Sequence, residues 1–130
     1  QGEENPVFYV QYAHARVASL IRFGKDRGAD VPPPDEVDLS DVTAGEARPL
    51  VLLLAEFPAL IERSAAAREP HRLTTYLRDV SARFHSYYHD HRIVTDDSAT
   101  TAARLFLSEA TRTVLENGLT LLGVAAPHRM

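Results

Sequence analysis

Apolar residues recur at three- and four-residue intervals along most of the chain, and proline, glycine and acidic breaks divide the pattern into helical segments. The first covers residues 5–27, where Val10, Ala13, Val17, Leu20 and Ile21 form one apolar stripe. Asn5 suits the N-cap because its side-chain oxygen can accept from a free first-turn amide, and Pro6 follows where a missing N–H costs nothing. Gly24 weakens the last turns and Gly28 is the predicted stop. Tyr9, Tyr12 and Arg16, at i, i+3 and i+7, share a neighbouring face. Two phenols and a guanidinium so placed can stack on bases and hold a phosphate. On spacing alone, the favoured reading is that the rings belong to the core with their hydroxyls at its rim.

Residues 31–34 (VPPP) cannot be helical, and the acidic stretch up to Gly45 reads as a solvated loop, long for a compact domain. A strongly apolar helix is predicted over 46–57, with Leu50, Leu53, Leu54 and Phe57 at core spacing and Pro49 in its first turn. Pro58 breaks it, and a shorter helix covers 59–68. Pro70 starts the next, to about His89, in which Leu73, Tyr76 or Leu77, Val80, Phe84 and Tyr87 or Tyr88 repeat. Residues 91–97 connect, with a β-like pair at Ile93 and Val94. Asp97 or Ser98 caps a last long helix over 99–117, closed by Asn117-Gly118 as a left-handed cap, and 119–124 add one apolar turn. No repeat and no alternation suited to a sheet occurs. The prediction is an all-α bundle of about five helices, one domain with the 28–45 loop attached.

Composition narrows the classes of function. A length of 130 residues fits one domain, and 45% hydrophobic content excludes disorder throughout. The absence of cysteine excludes disulfides and thiolate metal sites and favours an intracellular protein. No apolar run approaches the ~20 residues of a membrane span, and no signal-peptide pattern is present, so a cytoplasmic location without membrane contact is expected. Residues 1–4 carry no initiator Met and read as a cut end. The net charge of −4 argues against nucleic acid at first sight. Its distribution changes that picture: Asp30, Asp35, Glu36, Asp38, Asp41 and Glu46 crowd one stretch that has no Lys or Arg. Without these six, 12 acidic residues face 14 basic ones. All the basic residues but Lys25 are Arg, which suits bidentate phosphate contact, although a GC-rich genome gives the same bias.

Candidate chemistry is sparse. His85, His89 and His91 are spaced so that three imidazoles could surround a zinc, but no HExxH arrangement accompanies them, and solvated or hydrogen-bonded histidines are the favoured reading. No phosphate-binding glycine loop, G-x-S-x-G elbow or recognisable triad occurs, so the chain by itself does not read as an enzyme. Arg68, Arg72, Arg78, Arg83 and Arg92 interleave with Tyr76, Tyr87 and Tyr88. That mixture suits splayed RNA bases, and also fits an amphipathic helix with a charged outer face.

Several motifs, in order, carry a family resemblance. NPVFYVQYAHARVASLIR, with Tyr12-Ala13-His14-Ala15-Arg16 at its centre, resembles the opening helix of the C-terminal anticodon-binding (DALR) domain of arginyl-tRNA synthetases. Leu73-Thr74-Thr75-Tyr76-Leu77, Phe84-His85-Ser86-Tyr87-Tyr88 and Arg92-Ile93-Val94 are similar to that family's middle helix and its exit. Arg104-Leu105-Phe106-Leu107, residues 117–124 and the ending Ala126-Pro127-His128-Arg129-Met130 resemble its last helix and terminus. Two departures are His128, where the family commonly has an acidic residue, and the unusually acidic, proline-rich loop.

The resemblance implies an all-helical fragment of a class I arginine–tRNA ligase, non-catalytic itself. ATP and magnesium would serve a Rossmann catalytic domain of the same chain. The implied partners are a tRNA with an arginine anticodon and that catalytic domain, and the implied state is a monomer. Tyr9, Tyr12 and Arg16 would stack on bases and contact phosphate, with Gln11 at a base edge and Met130 beside an unstacked base. His85 and Tyr88 would either join that site or only pack helices together. The rival expectation is a stand-alone helical interaction module of the same fold without tRNA, and a third is a histidine-cluster metal protein.

Overall fold

Asn5 does cap the first helix: its Oδ1 accepts from the amides of Val7 and Phe8 at 3.1 and 3.2 Å. A computed structural model of the chain describes residues 5–67 and 69–130, so residues 1–4 and Arg68 lie outside the described residues. Within them are α1 (Pro6–Asp26), α2 (Arg48–Ala55), α3 (Phe57–Ala67), α4 (Pro70–Asp90) and α5 (Ser98–Leu121). Short 3-10 turns occur at Pro34–Glu36 and Gly45–Ala47, and no strand is present among the described residues. The all-α bundle of five helices is therefore the observed architecture.

The long helices α1, α4 and α5 pack on one another, and α2 and α3 lie against α4. Their apolar stripes meet in one core that includes Val10, Val17, Leu77, Val80, Phe84, Leu105, Leu115 and Leu119, all at most 1% exposed. Each large side chain sealed in this way contributes ~1.5–3 kcal/mol relative to exposure.

Gly28 stops α1 as the sequence predicts. Its φ is +83°, its amide donates to Lys25 O at 3.0 Å, and Ala29 N reaches Gly24 O at 2.8 Å, a Schellman closure. The predicted close of the last helix at Asn117-Gly118 is wrong. Helix α5 continues to Leu121, and the left-handed residue is Gly123 at φ +79°, with Val124 N bonded to Leu119 O. Gly118 is instead a contact glycine: a Cβ there would stand 2.5 Å from Leu77 Cδ2. Gly24 has a similar role, facing Leu105 and the Ala29 carbonyl.

Smaller differences follow from local chemistry. The predicted 46–57 helix begins two residues later, because Gly45–Ala47 forms a 3-10 turn that buries Ala47. It ends at Ala55, where Glu56 N closes on Leu53 O, and Pro58 sits inside the first turn of α3. Ile93 and Val94 form no strand; Ile93 anchors the α4–α5 connector at 2% exposure. The acidic loop is not merely solvated. Its five carboxylates, and Glu46 just after it, are exposed, but Val31, Val37 and Leu39 pack against the core and Val42 enters it. Arg104 of α5 pins the loop by donating to Asp41 at 2.9 Å, and its Nη1 donates to Arg92 O at 2.8 Å.

Candidate nucleic-acid interface

Helix α1 presents two different faces from one short motif. Ala13, His14 and Ala15 are buried, whereas Tyr12 and Arg16 stand outside them, Tyr12 at 50% exposure. The α1 backbone therefore holds a ring and a guanidinium one turn apart on a rigid element.

The α4 side supplies the opposite wall. Tyr9, half-buried, meets His85 edge-on with centroids 5.8 Å apart, and Arg16 lies 5.6 Å from the Tyr88 ring centroid. Tyr88 in turn lies parallel to buried Phe84, which fixes its plane. Between these groups is an open cleft of about 610 Å³ lined by Arg16, His85, Tyr88, His89, Asp90 and Arg92.

A second cleft, of about 310 Å³, also has Arg16 in its lining. Tyr12, Arg16, Ser19 and Arg22 of α1 face Arg129 and Met130 across it. A small hollow of about 170 Å³, lined in part by Phe23, shares Tyr88 and Arg92 with the first cleft and Ser19 with the second. The three form one continuous surface.

Its electrostatics run against the sign of the whole chain. Arg16, Arg22, Arg92 and Arg129 line it, Asp90 is the one carboxylate among the lining residues, and none of the four arginines has a carboxylate partner among the described residues. Burial, with the Arg16 charge beside it, lowers the pKa of His85 below 6.5, so the imidazole is mainly neutral at neutral pH. Such a surface offers flat rings for stacking and unneutralised guanidinium groups for phosphate, the two contacts that splayed single-stranded bases require.

Of the residues singled out from the sequence, Arg16, His85 and Tyr88 meet in the first cleft, Tyr12, Arg16 and Met130 in the second, and Tyr9 borders His85. Gln11 lies off both clefts, and its Nε2 donates to Ala125 O at 2.9 Å. The interleaved stretch 68–92 divides: Tyr76 and Tyr87 are buried, Tyr76 donating to Leu53 O at 2.7 Å and Tyr87 stacking on His91, while Tyr88 reaches the cleft. The three histidines disperse, His85 to Tyr9, His89 to Asp90, and His91 to Tyr87 O and Glu46. No group of three or more metal-ligating side chains is assembled among the described residues.

Sequence reasoning missed Arg22, Ser19 and Arg129. Ser19 follows Tyr12 and Arg16 at i+7 and i+3 and was findable by extending that face one turn. Arg129 carries no local signal, because tertiary folding brings it there.

Comparison with known proteins identifies the family. The family model for the DALR anticodon binding domain matches residues 10–130. The chain is 48% identical over 130 residues to the arginine–tRNA ligase of Syntrophotalea carbinolica, covering 100% of this chain and 24% of that protein. It is 50% identical over 130 residues to that of Acidovorax ebreus, covering 100% of this chain and 23% of that one. The chain thus spans about a quarter of the length of the curated relatives it matches. The arginyl-tRNA synthetase structure from Thermus thermophilus aligns over 94% of this chain and 21% of its own, with TM-score 0.76 and 30% identity. A Campylobacter jejuni structure shares the fold at TM-score 0.84 and 24% identity, over 100% of this chain and 28% of its own. With the motif order, the helical bundle and the family match in agreement, the chain belongs to the DALR anticodon-binding domain family.

Proposed function

We propose that the chain recognises the anticodon stem and loop of tRNA as one module of an arginine–tRNA ligase, its surface of rings and arginines gripping an unstacked loop. The observation that carries this is Arg16, shared by two clefts that together expose four arginines against one carboxylate. Tyr12 and Tyr88 stack, Arg16 and Arg92 contact phosphate, and Met130 borders an unstacked base. The names of the relatives, arginine–tRNA ligases, support a tRNA with an arginine anticodon as the partner, and a catalytic domain of the same chain is the second. ATP and magnesium belong to that domain, and none of the residues proposed here holds either. The protein works as a cytoplasmic monomer.

The test is a fluorescence titration with anticodon stem-loop RNAs across a range of salt. Tighter binding of arginine anticodons than of others, with affinity falling steeply as salt rises, supports the proposal. No binding at any salt would instead favour a helical module that docks protein.

A further inference from the structure

The seven residues after Gly123 form no helix, yet they run back along α1 in a fixed path. Three α1 side chains hold them. Gln11 Nε2 donates to Ala125 O at 2.9 Å, His14 Nδ1 to Pro127 O at 2.8 Å, and Arg22 Nη1 to His128 O at 3.0 Å. The Gln11 and Arg22 bonds are exposed, where water competes for the same groups. The His14 bond starts from a side chain with 0% exposure.

The ring's chemistry is informative. A carbonyl only accepts, so Nδ1 carries the hydrogen, and in the neutral imidazole Nε2 has a lone pair. That Nε2 is buried and has no hydrogen-bond partner. An aliphatic side chain would fill the same space without stranding a polar atom. What the imidazole supplies in return is one sheltered donor aimed at the tail. His128 then lies edge-on to the same ring at 5.4 Å, and Arg129 and Met130 follow directly into the wall of the second cleft.

Given the RNA-binding role proposed above, we infer that His14 is a positioning residue: its part-buried bond to Pro127 sets where Arg129 and Met130 stand opposite Tyr12 and Arg16, and so shapes the surface that receives RNA. The motif Tyr12-Ala13-His14-Ala15-Arg16 then has two complementary halves. Tyr12 and Arg16 meet the ligand, and His14 holds the other wall in register with them.

Two variants separate this role from simple packing. His14→Leu fills the cavity without a donor, and His14→Asn keeps an amide N–H close to the position of Nδ1. Met130 is the single methionine, so a methyl-labelled sample of the 130-residue chain gives one tail signal by NMR. Expected for His14→Leu are a sharpened, shifted Met130 methyl and about fivefold to tenfold weaker binding of an arginine anticodon stem-loop, with His14→Asn restoring both. In an Arg129→Ala/Met130→Ala background, His14→Leu should cost no further affinity, because its effect passes through those two residues.

An unmoved Met130 signal in His14→Leu overturns the latch. A freed tail with unchanged RNA affinity, or an undiminished loss in the double-alanine background, overturns the positioning role. If the wild-type chain binds no stem-loop, the RNA proposal itself falls and the positioning role with it, a result read from the wild type before any variant.

Discussion

The Arg16 guanidinium lies 5.6 Å from the centre of the Tyr88 ring, so a cation of α1 and an aromatic face of α4 form one edge of the candidate RNA surface. Because Arg16 is exposed and has no carboxylate partner among the described residues, its charge remains available to phosphate. Arg16→Ala should weaken stem-loop binding about tenfold and reduce the slope of log affinity against log salt by about 1. The melting temperature should stay within a degree or two, since exposed substitutions seldom change stability by more than ~0.5 kcal/mol. Arg16→Lys should retain the salt slope but lose affinity, because an ammonium cannot stack and chelate as a guanidinium does. An unaltered titration for Arg16→Ala would remove this residue from the interface.

Tyr12 offers a cleaner test of stacking, being half exposed and clear of the core. Tyr12→Ala should cost ~1–3 kcal/mol of RNA affinity, and Tyr12→Phe much less, because the ring face and not the hydroxyl makes the contact. Equal losses for the two variants would show that the hydroxyl matters and the stack does not.

Acid should affect stability and RNA binding in opposite directions. Burial lowers the pKa of both His14 and His85 in the folded chain below 6.5, so the unfolded chain binds more protons once pH falls under that value. Stability of the free chain should therefore decline as pH drops through the region below 6.5. A further decline should follow below 4.5, where Glu109, held down by its hydrogen bonds to Arg112, takes up its proton. RNA affinity should instead rise from about pH 8 to about pH 6, because a phosphate beside His85 favours its charged form. His85→Gln should flatten the affinity profile, with His89→Gln as the control for the neighbouring exposed imidazole. Thermal melts and titrations over the same pH series check both signs.

Gly118→Ala should destabilise the bundle by ~1–3 kcal/mol, the range for an overpacked core. The added methyl would stand 2.5 Å from Leu77 Cδ2, and Leu77 is fully buried, so its side chain has nowhere open to go. Alanine's better helix propensity offsets up to ~1 kcal/mol of that cost. A stabilised Gly118→Ala, measured by denaturant unfolding, would mean that Leu77 repacks freely.

The start and stop of α1 were legible in the sequence because Asn5, Pro6 and Gly28 act through their own local chemistry. Asn117-Gly118 misled because the same pair that closes many helices serves here as a notch for Leu77, a residue 41 positions away. The rings of Tyr76, Tyr87 and Tyr88 are indistinguishable by spacing, and only the docking of α1 decides that the last one faces the cleft. Tyr12 and Arg16 were legible as a pair. The wall opposite them was not, since His14 and Pro127 meet across 113 residues and no local periodicity reports such a bond.

Arg104 ties three segments through one side chain: its own helix, Asp41 of the acidic loop and the carbonyl of Arg92 beside the cleft. Beside the apolar anchors Val31, Val37, Leu39 and Val42, this loop has an ionic mooring in the Asp41–Arg104 pair. Ionic moorings slacken as electrolyte is added. The brine used to strip RNA from the surface should therefore also loosen the Asp41 contact while Val42 stays seated, and a salt-jump experiment should record two relaxations, of which a probe beside Asp41 sees one even when no RNA is present.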